Sequence, residues 1–333
     1  MEYVNCDYCG CAESGVVARQ TDLLHRTTDE VFSIVRCAGC GLHYTNPRPG
    51  PGEIGRYYAA DYAFHVSPPA WRRWADRALD VWANSPLAGL ARVLPPVARR
   101  LAARVRPMVG DPVLEYYRSG GEGTFLDIGC GSGWHAHYWG GQSAVLALRK
   151  RAAVAGVEVS NAARASLSES GVRCWATLAA VPDSEIFGLI RMNWSLEHVH
   201  APNAYFSFMA SHLKPGGRAI VAVPNYDGLI YRLAPDCVEL PVHLYHFRPK
   251  DVLAYGERHG LRGISVTTFS YPEMFRAAAA AGLWPSAFSS CSGIVAAREM
   301  LRTLAPFDQA GWGNDMVVVL EKSLPPGAMS GSA

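Results

Sequence analysis

The chain has 333 residues, a formal net charge of +2, 49% hydrophobic residues and 18% charged ones. A chain of this length buries roughly 75% of its unfolded surface, and its charged fraction lies below the roughly 25% of an average soluble domain, which excludes disorder and a long charged arm. The small net charge argues against a protein built to coat nucleic acid, and apolar runs such as residues 277–281 fall far short of the roughly 20 residues of a membrane span.

The first element is a cysteine module over residues 1–50. Its start, MEYVNCDYCG, has neither the basic opening nor the apolar run of a signal peptide, so a cytoplasmic location and reduced thiols are expected. Cys6 and Cys9 are separated by two residues, as are Cys37 and Cys40, and glycine follows each pair. That spacing lets both sulfurs of a tight turn face one ion. The following glycine takes a positive φ, which turns backbone N–H groups toward the thiolates. Two such knuckles, with 27 residues between Cys9 and Cys37, make a four-sulfur zinc ribbon whose Zn2+ is structural. Cys11, His25 and His43 are read as bystanders, and Cys130, Cys174, Cys237 and Cys291 as small core residues.

The run Asn46-Pro47-Arg48-Pro49-Gly50-Pro51 ends the module. Residues 51–118 read as a helical linker or cap, with Trp71, Trp74, Leu79 and Trp82 among arginines. Between Trp71 and Arg106 eight Arg stand against Asp76 and Asp80, a pattern read as a solvated helix face. From Thr124 onward, β-rich runs alternate with helical stretches. Strands are predicted at 124–128, 153–159, 172–175, 186–192, 218–223, 263–269 and 316–321. Spacers long enough for crossover helices imply a doubly wound α/β sheet over residues 119–323, and 324–333 read as a disordered tail.

The sharpest motif is Phe125-Leu126-Asp127-Ile128-Gly129-Cys130-Gly131-Ser132-Gly133, an apolar strand running into a glycine turn. Doubly wound sheets bind nucleotides at such a place. A P-loop needs Gly-Lys-Ser/Thr, which is missing, and a dinucleotide fingerprint needs a third glycine where Trp134 stands. Asp127 repels a pyrophosphate but attracts the ammonium of a sulfonium ligand with an amino acid tail. The next acid in the chain is Glu158, at the end of an apolar run, where a carboxylate accepts hydrogen bonds from ribose hydroxyls.

At these residues the chain resembles class I S-adenosylmethionine-dependent methyltransferases. The resemblance continues through Phe187-Gly188-Leu189-Ile190, Ser195-Leu196-Glu197-His198-Val199, Leu213-Lys214-Pro215-Gly216-Gly217, Val223-Pro224-Asn225 and Val242-His243-Leu244-Tyr245-His246-Phe247. It implies a Rossmann-like seven-stranded sheet whose last strand runs antiparallel. It also implies cofactor contacts at Asp127, Gly129, Cys130, Gly131, Gly133 and Glu158, and at Asn193 and Trp194 after the fourth strand. Gly188 departs from the pattern, since Asp is usual there.

Methyl transfer to a hydroxyl or a C–H acid needs a base, and histidine suits neutral pH. His243 follows the fifth strand, at the sheet edge where sites assemble. Here the chain is similar to zinc-bearing sugar C-methyltransferases. The resemblance implies that His243 is the general base, with His246 and His198 as alternatives and Tyr58 in an early tyrosine segment near the site. A Glu usually precedes that histidine, whereas this chain has Val242. The expected acceptor is a small molecule: a sugar, a nucleotide-sugar or a natural-product intermediate, methylated at oxygen or carbon. Asn193-Trp194-Ser195-Leu196 lacks the prolines of base-methylating enzymes, which argues against nucleic acid. Two alternatives are an RNA methyltransferase that uses the ribbon and the Arg-rich helices, and a non-catalytic zinc adaptor with a relict cofactor fold.

Overall fold

The computed structural model describes residues 1–23, 26–58, 112–131, 153–169, 171–235, 238–270, 275, 279, 282 and 294–324. Gly133, the arginine-rich stretch 71–106 and the tail beyond 324 lie outside the described residues.

Two sheets are present among them. The smaller has four strands, β1 (Ser14–Gln20), β2 (Phe32–Cys37), β3 (His43–Thr45) and β9 (Tyr245–His246), in the order β1-β2-β3-β9 with every pairing antiparallel. The larger contains β4 (Phe125–Ile128), β5 (Val154–Val157), β6 (Arg173–Trp175), β7 (Phe187–Asn193), β8 (Leu213–Pro224), β10 (Leu261–Phe269) and β11 (Asp315–Lys322). Its order is β10-β11-β8-β7-β4-β5-β6. β4 lies parallel to β5 and β7, and β5 to β6, while β10 and β11 are antiparallel. All seven predicted strands are there, and the sheet is the class I methyltransferase sheet. β8 alone departs noticeably, beginning at Leu213 because the Leu-Lys-Pro-Gly-Gly segment joins the strand.

Burial follows from position in the sheet. β7, inside it, is buried at six of seven residues, as a strand covered on both faces must be. The outermost strands are β6, with only three residues, and β10, exposed over five consecutive positions. A strand of only three residues discourages pairing with another chain. Among the described residues six helices have defined bounds: α1 (Pro112–Arg118), α2 (Asn161–Glu169), α3 (Pro202–His212), α4 (Leu229–Leu233), α5 (Pro249–Arg258) and α6 (Ile294–Gln309). α5 shows why a helix starts where it does. Proline opens its first turn, and Asp251 accepts the Arg248 backbone N–H at 2.9 Å.

The chain divides into two compact units that are not continuous in sequence. One comprises residues 1–60, 193–211 and 221–333, and the other 61–192 and 212–220. In the first, Phe32 and Ile34 of β2 share a core with Ile230, Leu240 and Val242. Each such side chain contributes roughly 1.5–3 kcal/mol when fully buried. The cysteine module therefore does not stand alone: β9 completes its sheet, and Thr45 donates its backbone N–H to Leu244 at 2.9 Å. In the second unit, β4, β5 and β6 carry the glycine turn.

Candidate active site and metal centre

β4 ends in a bend of two left-handed glycines, Gly129 (φ 76°) and Gly131 (φ 55°), a backbone conformation that residues with a Cβ rarely adopt. Its N–H groups are already spent. Gly129 and Cys130 donate to the Val157 carbonyl at 2.8 and 3.4 Å, and Gly131 donates to Oε2 of Glu158 at 2.8 Å. A phosphate cradle needs these N–H groups turned outward, so the described residues of the turn, 129–131, do not present one. Glu158 is buried, and its other oxygen accepts the Ser160 N–H at 2.8 Å. It sits at the end of β5, as expected, and it also ties the bend to that strand.

Asp127, expected to offer a negative charge to a cation, is buried and gives both oxygens to Arg191, Oδ1 to Nε at 2.9 Å and Oδ2 to Nη2 at 2.7 Å. Arg191 also lies 5.3 Å from the Phe125 ring. The charge of Asp127 is balanced within the protein. Cys130 and Cys174, expected as small core residues, pack in one apolar cluster with their sulfurs 3.9 Å apart. Gly188 is explained by space: a Cβ there would lie 1.8 Å from the Glu122 carbonyl oxygen, so no side chain fits.

The second group of residues lies in the other unit. Asn193, half-buried, ends β7, and Trp194 follows with φ 49°, a strained conformation for a bulky side chain. Its backbone N–H goes to Ala222 at 2.8 Å, and its indole N–H goes to Asp315 at 2.8 Å. Burial, reinforced by the charges of Glu239 and Asp308 and only partly offset by the indole, pushes the Asp315 carboxyl up to about 7.

A tight turn with the His243 N–H on the Glu239 carbonyl at 2.8 Å places His243, and Thr45 holds the His243 carbonyl at 2.9 Å. The imidazole is buried, with Nε2 3.6 Å from the Glu239 carboxylate. The carboxylate missing at Val242 is thus supplied four residues before the histidine. His198 packs edge-on to His243, ring centroids 4.7 Å apart. Its Nδ1 lies 3.0 Å from the Val242 carbonyl and 3.2 Å from the Tyr58 hydroxyl. A carbonyl only accepts, so Nδ1 carries the proton. His246 is a different case: it is fully buried, bonded to Thr45 Oγ1 at 3.1 Å, and burial first and the neighbouring His243 and His43 next hold it neutral. That is the setting of a packed histidine, and His243 and His198 are the better placed pair.

Three carboxyls around this pair escaped the sequence reading. Glu197 is 1% exposed, and apart from a glancing approach by its own N–H neither oxygen has a hydrogen-bond partner. Burial, with Glu239 and Asp315 adding to it, raises its carboxyl well above the usual range. The signal was present in Ser195-Leu196-Glu197-His198-Val199 but was not read as chemistry. Glu239 and Asp315 gave no signal in sequence, because the fold brings them there.

The thiols converge as predicted. Cys6 lies 3.5 Å from Cys40 and Cys9 lies 3.4 Å from Cys37, sulfur to sulfur, and all four sulfurs fall within 4.8 Å of one another. Sulfurs around a tetrahedral zinc stand about 3.8 Å apart, so the donor set fits. Gly10 (φ 74°) and Gly41 (φ 78°) adopt the positive φ expected after each pair. Burial pushes the Cys37 thiol up, but the N–H groups of Cys40 and Gly39 and the neighbouring thiols outweigh it and bring the group down to about 6. Burial raises Cys40 to about 11 and Cys6 further, against the pull of nearby N–H groups. Crowded thiols that hold protons unequally are a site a cation would resolve. Cys11 instead turns to the Glu13 carbonyl, and His43 pairs with His246 across the small sheet.

No curated protein matches the chain by sequence. Among solved structures, it is similar to an S-adenosylmethionine-dependent methyltransferase from Mesorhizobium loti, at 17% identity over 67% of this chain and 98% of that one, TM-score 0.42. A methyltransferase of the same cofactor from Archaeoglobus fulgidus shows 16% identity over 63% of this chain and 93% of its own, TM-score 0.42. A cyclopropane synthase from Mycobacterium tuberculosis shows 17% identity over 60% and 78%, TM-score 0.40. The sequence model of the family described as "Methyltransferase domain" matches residues 92–266, more than half of the chain. The glycine bend, the seven-stranded order and that match agree: the chain belongs to the methyltransferase-domain family and is an S-adenosylmethionine-dependent methyltransferase.

Proposed function

We propose that the enzyme methylates an oxygen or a carbon of a small molecule, such as a sugar, a nucleotide-sugar or a natural-product intermediate, with His243 as general base. The observation that carries this reading is the buried His243 imidazole beside the Glu239 carboxylate at 3.6 Å. When bound, S-adenosylmethionine supplies a methyl group on a cationic sulfur, an electrophile that needs no further activation. Gly129, Cys130, Gly131 and Glu158, with Asp127, Gly133, Asn193 and Trp194, are the residues proposed to hold it. Glu158 has the chemistry to accept ribose hydroxyls in place of the Gly131 N–H. His243 takes a proton from the acceptor, and Glu239 favours the imidazolium that forms. Tyr58 and His198 hold each other and the Val242 carbonyl, which orients the segment carrying His243.

Cys6, Cys9, Cys37 and Cys40 are proposed to hold one structural Zn2+, since four sulfurs close its coordination. A non-catalytic adaptor gains nothing from Gly188, whose missing carboxylate is a matter of space. The RNA alternative rests on the ribbon together with the arginines of residues 71–106, and the latter lie outside the described residues.

His243→Ala tests the base. Turnover with a methyl-labelled cofactor is expected to fall about 10²–10⁴-fold, the usual worth of a positioned base. Calorimetry with S-adenosylhomocysteine should show unchanged affinity. Wild-type turnover in the variant removes His243 from the chemistry.

A further inference from the structure

We infer that Glu197, His198 and His243 form a second metal site, distinct from the four thiols, for a divalent first-row transition ion. One donor atom from each of the three residues falls within 4.8 Å of the others, and Nε2 of His198 lies 4.0 Å from Oε1 of Glu197. Two imidazoles and one carboxylate are the donor set of Zn2+, Co2+, Mn2+ and Fe2+. At 2.0–2.2 Å per bond, donors around one such ion stand about 3.4 Å apart in a tetrahedron, so closure needs only a small contraction.

Two further observations favour an ion. Glu197 is buried with no hydrogen-bond partner beyond its own N–H, and a buried carboxylate without one is costly unless a cation or a proton answers it. His198 already has the outer contact typical of a metal-bound histidine, its Nδ1–H on the Val242 carbonyl, which leaves the lone pair on Nε2, the nitrogen nearer Glu197. Glu239, 3.6 Å from Nε2 of His243, gives the second imidazole a carboxylate neighbour. The Tyr58 hydroxyl adds a further outer contact, 3.2 Å from Nδ1 of His198.

The consequence for catalysis rests on the base role proposed for His243. An ion on that imidazole occupies the lone pair that would receive the acceptor's proton, so the metal-loaded and proton-accepting forms exclude each other. Added Zn2+ or Co2+ therefore inhibits turnover, and loss of Glu197 relieves the inhibition.

The test is equilibrium dialysis of the full-length protein against Co2+, with metal content and visible spectrum read together. The wild type is expected to bind one ion whose spectrum lacks thiolate-to-metal charge transfer, in addition to whatever the four thiols hold. Glu197→Gln and His198→Ala should lose that ion, with affinity falling at least about 100-fold, since even outer contacts of a metal site are worth 10–100-fold. The thiol-bound metal and the thermal midpoint serve as fold controls. Cobalt found only with thiolate absorption in the wild type, or a second ion that survives both substitutions, overturns the site. The two readings separate cleanly. If the second ion binds but His243→Ala turns over normally, the site stands and the base role falls. If His243→Ala is inactive but no second ion binds, the base role stands and the site falls.

Discussion

Asp315 is a carboxyl whose environment, not its type, decides its charge. Its folded value is raised from 3.8 to about 7, so the protonated form is the one the fold prefers. Its stabilising contribution is complete below about pH 4 and is lost as pH rises through 7. Asp315→Asn keeps an acceptor for the Trp194 indole and cannot titrate. Wild-type stability relative to that variant should therefore decline between pH 4 and 7 and level off above 8. The total is a few kcal/mol, since a tenfold change in proton affinity is worth about 1.4 kcal/mol. Urea unfolding of both proteins across that range checks it, and a flat difference means the carboxyl is ionised throughout. The pair Asp127–Arg191 gives the opposite case, two buried charges that answer each other. Arg191→Leu strands the aspartate and should cost about 3–5 kcal/mol, read by the same unfolding measurement.

At the scale of elements, close approach replaces charge as the deciding factor. β7 runs so near residue 122 that position 188 has room only for hydrogen. Gly188→Ala should cost about 1–3 kcal/mol through a forced backbone shift, measured as a lower thermal midpoint with unaltered β-sheet content. A variant as stable as the wild type would mean that the 119–124 segment yields freely. This is also where sequence legibility changes. The seven strands of the large sheet were readable because apolar runs such as Phe187–Asn193 are buried on both faces and need no partner identity to be recognised. The glycine bend and the paired cysteines were readable because local spacing fixes their geometry. β9 was not, having two residues and existing only as a partner for β3. Arg191 was equally hidden: nothing in a single strand says that its neighbour across the ladder carries an aspartate. His243 is proposed from resemblance, while its neighbours Glu239, Glu197 and Asp315 come together through turns and strand ends far apart in the chain.

For the molecule as a whole, the thiol cluster is the cheapest element to remove by experiment. Apparent zinc affinities of about 10–16 kcal/mol equal or exceed the 5–15 kcal/mol that holds a typical domain together. A strong chelator is thus expected to release one zinc per chain from Cys6, Cys9, Cys37 and Cys40 and to lower the thermal midpoint steeply. Metal analysis and differential scanning calorimetry follow both, and a chain with no zinc refutes the four-thiolate assignment. The rungs between β3 and β9 carry this further. Cys37 ends β2, β2 pairs with β3, and Thr45 of β3 grips the backbone at His243 and Leu244 through the carbonyls of both. Stripping the ion should therefore slacken the imidazole before it disturbs donor affinity, so kcat falls while S-adenosylhomocysteine still binds. A fastening placed some two hundred residues upstream would then act as the tuning peg of the chemistry, tightening or loosening it without touching the substrate.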